Sequence, residues 1–202
     1  RLFLGVCSNY LCDLKEGDEV LLTGPSGKRF LLPQAPAEHS YFFVATGTGI
    51  APFRGMLMEL LASPPGNRPS RIDLVMGVPY TNDLLYDQYF RQMAREHEHF
   101  HYHTAISREA RKGTERGIYV DELIEADWDI FHLVLRDERT LIYICGLAGM
   151  QLGMYRLLAR HQLDAGYITI NDDLKKMRVE DWSESQIKRA IRPTARCMLE
   201  VY

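Results

Sequence analysis

Residues 41–54 read YFFVATGTGIAPFR. Tyr41, Phe42, Phe43, Val44 and Ala45 form an unbroken run of apolar, largely aromatic residues, short enough to be a strand buried on both faces. Thr46-Gly47-Thr48-Gly49 follows as a turn of small residues, and residues 51–61 resume with helical periodicity. Pro52 falls at the start of that helix, where its missing N–H is no loss. Such a strand–turn–helix unit is suited to anions. Its glycines let the backbone approach a diphosphate, its hydroxyls donate to it, and the helix N-terminus favours negative charge. The turn is not GxGxxG, so the ordinary dinucleotide fingerprint is absent, and a lone GTG turn serves equally well as pure structure.

Outward from this unit the same rhythm repeats. Residues 72–76 (IDLVM) read as the next strand, with residues 84–95 as its helix. Residues 101–106 form a strand with polar and apolar side chains interleaved, and residues 119–125 and 129–135 read as helical pieces. Residues 141–145 (LIYIC) are a second buried run, with residues 150–161 as its helix. Ser183-Glu184-Ser185-Gln186 has capping-box spacing and opens a short helix, and residues 198–202 close the chain as a strand-like run. The alternation predicts an α/β fold: a Rossmann-like parallel sheet with helices on both faces. Residues 1–34 differ. Apolar runs at 2–4 and 19–23 flank a short helix at 8–14, followed by the turn-dense Gly24-Pro25-Ser26-Gly27-Lys28 and linker composition over 33–39. The expected division is therefore 1–36 and 37–202.

Composition narrows the classes. At 202 residues and 46% hydrophobic, the chain can bury a core. A net charge of −3 argues against nucleic-acid binding, which needs a concentrated basic face. Cys7, Cys12, Cys145 and Cys197 form neither a CxxC pair nor a metal-ligand cluster, so no metal site is expected and free thiols fit a reducing compartment. No apolar run approaches a membrane span and no signal peptide opens the chain. Arg1 begins the sequence mid-pattern, which reads as a fragment.

Three further constellations carry chemistry. Cys145-Gly146-Leu147-Ala148-Gly149-Met150 ends the second buried strand, and in an open parallel sheet ligands bind at strand carboxyl ends. The two glycine-containing strand ends thus outline one crevice, although a buried cysteine is more commonly a small hydrophobe. Ser107-Arg108-Glu109 places a hydroxyl beside a guanidinium, a cradle for a phosphate monoester such as the 2′-phosphate of NADP; an ordinary polar loop reads the same way. Glu200-Val201-Tyr202 ends the chain on an aromatic ring, which is either packing or a surface for stacking on a flavin.

These blocks together, GVCSNYLCDLKEGD, TGPSGK, GTGTGIAPFR, GVPYTNDLLY, AISRE, IYICGLAGM and the terminal EVY, resemble the plant-type ferredoxin–NADP⁺ reductases over nearly the whole chain. The resemblance implies a C-terminal NADP-binding domain preceded by the last strip of an antiparallel β-barrel FAD domain. It implies that Gly5, Val6, Cys7, Ser8 and Asn9 hold the FAD diphosphate, and that Lys28 reaches the NADP diphosphate. Thr46, Gly47, Thr48 and Gly49 then lie along the nicotinamide nucleotide, with Gly146 and Leu147 across the crevice. Ser107 and Arg108 match the pair that grips the 2′-phosphate, and Tyr119 the ring that stacks on adenine. Cys145 and Glu200 match groups beside the reacting nicotinamide, and Tyr202 the ring that covers the flavin until nicotinamide displaces it. The reaction implied is hydride transfer between flavin and nicotinamide, with single electrons passed to ferredoxin or a flavodoxin-like carrier. The setting implied is bacterial cytoplasm or plastid stroma.

The chain departs from the pattern in three places. A basic residue is usual two positions before the adenine-stacking Tyr, where Gly117 stands with Arg116 beside it. Asp121 replaces a usual Gln, and a carboxylate there is expected to repel a 2′-phosphate. NADP preference then rests on Ser107 and Arg108, with Arg111, Lys112 and Arg116 as further cations. The RxYS-type flavin-binding block is missing, so this stretch alone is expected not to hold FAD tightly and to be inactive. Residues 172–197 look longer than in plastid enzymes. Competing readings are the FAD/NAD(P)H half of a diflavin reductase, an oxygenase reductase component, and a non-catalytic redox sensor. Retention of Cys145, Glu200 and Tyr202 together speaks against the sensor. Lys175, Lys176, Lys188, Arg189 and Arg192 are the candidate basic face for a carrier protein.

Overall fold

In the computed structural model, residues 5–24, 27, 30–110 and 113–202 are described. The apolar run at 2–4, Pro25, Ser26 and Lys28 of the turn-dense stretch, and the cations Arg111 and Lys112 lie outside the described residues. Helix α1 (Val6–Asp13) falls within a residue or two of the short helix expected at 8–14, and it buries none of its side chains. Residues 18–24 have no regular structure, and Leu21 and Leu22 are 99% and 89% exposed. The apolar run at 19–23 has strand composition, but strand conformation needs a neighbour to take its backbone hydrogen bonds.

The sheet begins at β1 (Ser40–Thr46), followed by α2 (Ala51–Leu61), β2 (Ile72–Val78), α3 (Asp87–Glu96) and β3 (Phe100–Ile106). Then come α4 (Val120–Ala126), α5 (Trp128–Arg136), β4 (Thr140–Gly146), α6 (Ala148–Arg160) and α7 (Asp164–Tyr167). The chain closes with β5 (Ile168–Ile170), α8 (Asp172–Lys175), α9 (Glu184–Ala190), β6 (Ile191–Pro193) and β7 (Cys197–Val201). Five strands pair in the order β3-β2-β1-β4-β7, every pairing parallel.

Successive side chains of β1 point to opposite faces and enter separate cores. Phe42 and Val44 pack with Ile124, Phe131, Val134 and Leu158 from α4, α5 and α6. Tyr41, Phe43 and Ala45 pack with Phe53, Leu57 and Phe90 from α2 and α3. Phe43 stacks on Phe53 with ring centroids 4.8 Å apart, while Phe42 meets Phe131 edge-on at 5.7 Å. Each such fully buried ring contributes on the order of 2–3 kcal/mol, and helices on both faces are what an all-parallel sheet requires. A buried carboxylate, Asp73 on β2, is the exception, and it is satisfied by Arg71 (2.7 and 3.0 Å) and by His103 at 3.4 Å.

The helix expected at 84–95 starts only at Asp87, because Tyr86 takes the left-handed conformation (φ 59°) and the preceding residues Thr81–Asp83 form a 3-10 turn. The stretch 172–197 is a folded excursion. Helices α8 and α9 lie between β5 and β6, which pair antiparallel away from the main sheet. Leu174, Trp182 and Ile187 bury into the α6-side core, and the Arg156 guanidinium donates to the Trp182 carbonyl at 2.6 Å. The expected capping box holds: Gln186 N–H donates to Ser183 Oγ, and Ser183 N–H to Gln186 Oε1.

Candidate functional site

From β1 the sheet grows to one side through β2 and β3 and to the other through β4 and β7, so the topological switch point lies between the carboxyl ends of β1 and β4. The two glycine turns meet there. Thr46 Oγ1 accepts the Leu147 N–H at 2.8 Å. A Cβ on Gly49 would lie 2.5 Å from the Cys145 carbonyl carbon, and one on Gly146 (φ +136°) would lie 2.8 Å from the Thr46 carbonyl oxygen. Both glycines are therefore required by backbone lying on backbone. Gly47, with φ +53° and open space beside it, is the glycine of this turn whose outer face remains free for a ligand.

The chain terminus is drawn into the same place. Strand β7 aligns Glu200 with Cys145 across β4. Tyr202 N–H donates to the Gly146 carbonyl at 3.0 Å, Ala148 N–H donates to the Tyr202 carbonyl at 3.2 Å, and the phenol and Thr48 hydroxyls bond at 2.8 Å. Cys145 is buried, and that burial, with a smaller push from the Glu200 carboxylate, raises its thiol. It is a protonated thiol at neutral pH, not a thiolate nucleophile.

A second cluster follows β3. Ser107 and Arg108 N–H groups donate to the Val78 and Pro79 carbonyls, both at 2.9 Å, and Glu109 accepts from Thr81 N–H (2.7 Å) and its hydroxyl (2.6 Å). The Ile118 N–H donates back to the Ile106 carbonyl at 2.8 Å, which sets Tyr119, 60% exposed, beside Ser107. Gly117 lies so close to this strand end that a Cβ would come within 2.5 Å of the Ser107 carbonyl carbon. Glu122 accepts the Tyr119 N–H at 3.0 Å and two bonds from Arg116, at 2.7 and 2.9 Å.

Residues 43–155 match the family described as the oxidoreductase NAD-binding domain. The chain is 39% identical over 190 residues to the root-type ferredoxin–NADP reductase of Nicotiana tabacum, covering 92% of this chain and 47% of that protein. It is 41% identical over 160 residues to root isozyme 2 of Arabidopsis thaliana, covering 77% of this chain and 41% of that one. The chain belongs to the oxidoreductase NAD-binding domain family, and over most of its length it is similar to plant-type ferredoxin–NADP reductases. A solved structure of ferredoxin–NADP⁺ reductase from Plasmodium falciparum with 2'P-AMP shares the fold, with a TM-score of 0.67 over 98% of this chain, 66% of that one, and 24% identity. The chain thus spans about half the length of the curated relatives it matches (47% and 41%).

The structure gathers Thr46, Gly47, Thr48, Gly49, Cys145, Gly146, Leu147, Glu200 and Tyr202 at the switch point. Ser107, Arg108 and Tyr119 form the separate cluster beyond β3. Gly5, Val6, Cys7, Ser8 and Asn9 lie on the exposed start of α1, where Asn9 donates to the Gly5 carbonyl at 2.7 Å. Lys28 lies outside the described residues. The Asp121 carboxylate packs against Gly153 of α6, where a Cβ would come within 2.6 Å of it, and burial raises its pKa. Lys175, Lys176, Lys188 and Arg189 sit in or next to the last turns of α8 and α9, where cations complement the helix dipole. Lys176 and Lys188 also face Asp173 and Glu184 at 3.8 and 3.9 Å.

Sequence reasoning passed over Glu122 and Thr81. The signal for Glu122 was its position three residues after Tyr119, the N-cap of α4. Thr81 had none, because its partner Glu109 comes from another strand end. Among the described residues no helix is long and apolar enough to cross a membrane, and no group of three or more His, Cys, Asp or Glu could hold a metal.

Proposed function

We propose that this chain is the nucleotide-binding half of an FAD-dependent ferredoxin–NADP⁺ reductase, moving electrons between NADP(H) and a one-electron carrier such as ferredoxin or a flavodoxin-like protein. The observation that carries the reading is the convergence of Cys145, Glu200 and Tyr202 on the glycine turn at the switch point. Nucleotide binding alone calls for none of the three.

The residues fit the groups the family implies. Gly47 and Thr48 offer an open backbone and a hydroxyl at the start of α2, suited to a diphosphate. Ser107 and Arg108 take the 2′-phosphate, and the exposed Tyr119 ring stacks on adenine. When bound, FAD supplies hydride exchange with nicotinamide and single electrons to the carrier. Tyr202 covers the place the flavin ring occupies. Its bond to Thr48 means that a nucleotide settling on the turn competes for the same hydroxyl and releases the ring. The buried Cys145 side chain keeps water from the reacting carbon, and the Glu200 carboxylate beside it orients the nicotinamide or accepts a proton. The segment 1–36 belongs to the FAD domain in this reading, with Gly5 to Asn9 at the FAD diphosphate and Lys28 reaching toward the NADP diphosphate. The exposed Val6, Tyr10, Leu11, Leu21 and Leu22 call for an apolar surface to cover them.

Calorimetric titration of the chain with NADP⁺ and NAD⁺ tests this. NADP⁺ should bind more tightly, and Arg108→Ala should weaken it by about 10- to 100-fold, the value of charge-assisted bonds to a phosphate, while leaving NAD⁺ nearly unchanged. Equal binding of the two nucleotides would refute the 2′-phosphate assignment.

A further inference from the structure

A 2′-phosphate carries nearly two charges and is best held by more than one cation. Position 117 cannot supply the second. Any side chain there would drive its Cβ to 2.5 Å from the Ser107 carbonyl carbon and 2.7 Å from its oxygen. The adjacent residue, Arg116, has the right charge and springs from the same stretch of backbone. Its guanidinium, however, is already occupied by an internal anion, both oxygens of Glu122 at 2.7 and 2.9 Å. The pair lies in the open, with side chains 67% and 35% exposed. An ion pair so solvated contributes little and is readily exchanged for a stronger anion. The same carboxylate accepts the Tyr119 N–H, so one side chain governs both the spare cation and the base of the aromatic ring.

We propose that Glu122 is a specificity-determining residue: it competes with the 2′-phosphate for Arg116 and so moderates the preference of this site for NADP over NAD. The inference rests on the assignment of Ser107 and Arg108 to the 2′-phosphate. It also explains how a site without a basic residue at 117 retains a second cation within reach. Arg116 is held back in the free protein and delivered when a dianion outbids the carboxylate.

The test uses the full-length flavoprotein and steady-state reduction of ferricyanide with NADPH and NADH. Glu122→Gln retains an oxygen for the Tyr119 N–H but removes the charge. It should raise the ratio of kcat/KM for NADPH over NADH about two- to fivefold, the factor released when an exposed ion pair is broken, and should do so through KM. Adding Arg116→Ala to Glu122→Gln should abolish the gain. An unchanged ratio in Glu122→Gln overturns the proposal. So does a gain that survives in the double variant, since it would reflect only the loss of a repelling charge. Arg108→Ala serves as the separate control. If it lowers the NADPH value alone, the site assignment stands and the Glu122 result is decisive. If it changes neither nucleotide, the assignment itself fails.

Discussion

Placing a basic residue at position 117, two positions before Tyr119, would look like a route to tighter NADP binding, yet the structure predicts the opposite. Gly117 lies on the end of β3, and its hypothetical Cβ falls 2.5 and 2.7 Å from the carbonyl carbon and oxygen of Ser107 and closer still to the Ile106 carbonyl oxygen. All are backbone atoms, so no side chain can rotate away, and the two segments must separate. Overpacking of this kind costs about 1–3 kcal/mol. Separation also stretches the 2.8 Å bond from Ile118 N–H to the Ile106 carbonyl, for about 1 kcal/mol more. A total near 3 kcal/mol corresponds to a fall of about 6–12 °C in Tm for a domain of this size. Gly117→Ala isolates the steric part, and Gly117→Lys adds the charge. Both should melt early in thermal scans, and both should bind NADP⁺ more weakly than the parent, because Ser107 is displaced along with the loop. A Gly117→Ala protein that melts within about 2 °C of the parent and binds NADP⁺ equally well would refute the reasoning.

Two further outcomes follow from buried ionisable groups. Cys145 and Cys197 are buried while Cys7 and Cys12 are exposed, so iodoacetamide near pH 8 should modify the exposed pair first. Burial and then the Glu200 carboxylate raise the Cys145 thiol, so Glu200→Gln should speed its alkylation at fixed pH; an unaltered rate would show that the charge does not reach the sulfur. Asp73 responds to acid. Burial pushes its carboxyl up, but hydrogen bonds from His103 and Arg71 outweigh this and hold it below the ordinary carboxylate range. A carboxyl depressed in the folded state stabilises fully above its unfolded pKa, near 3.9, and loses that stabilisation as pH falls through the folded value. The stability gap between the parent and Asp73→Asn, read in urea melts, should be flat above about pH 5 and shrink below about pH 4. A gap that widens on acidification would contradict the assignment.

What the sequence disclosed, and what it withheld, divides along a physical line. The buried runs at 41–45 and 141–145 and the GTG turn declared strand, turn and parallel sheet because periodicity and glycine content are local properties. The purpose of the glycines was not local. Gly49 and Gly146 are fixed by carbonyls on the opposite strand end, and only the parallel pairing of β1 with β4 reveals which atoms they clear. The run at 19–23 is also largely apolar, but among the described residues no strand pairs with it, so composition alone could not make it one. Trp182, which anchors the excursion between β5 and β6, reads in sequence as one aromatic residue in a polar stretch.

The two departures that seemed to weaken NADP recognition have the same origin. Asp121 was expected to face the phosphate, yet its carboxylate belongs to the packing of α4 against Gly153 on α6. Gly117 looked like a lost cation, yet the backbone of Ser107 leaves no room for any side chain. Both residues answer to packing partners outside their own turn, Ser107 for Gly117 and Gly153 for Asp121. In the proposed competition Arg116 joins Arg108 at the phosphate, and its availability depends on Glu122, three residues beyond Tyr119. Under that proposal, competition between an internal anion and an external one for the Arg116 guanidinium moderates the nucleotide preference of the site. A residue-by-residue match to the family pattern does not register that competition, because the competing anion occupies no position in the pattern.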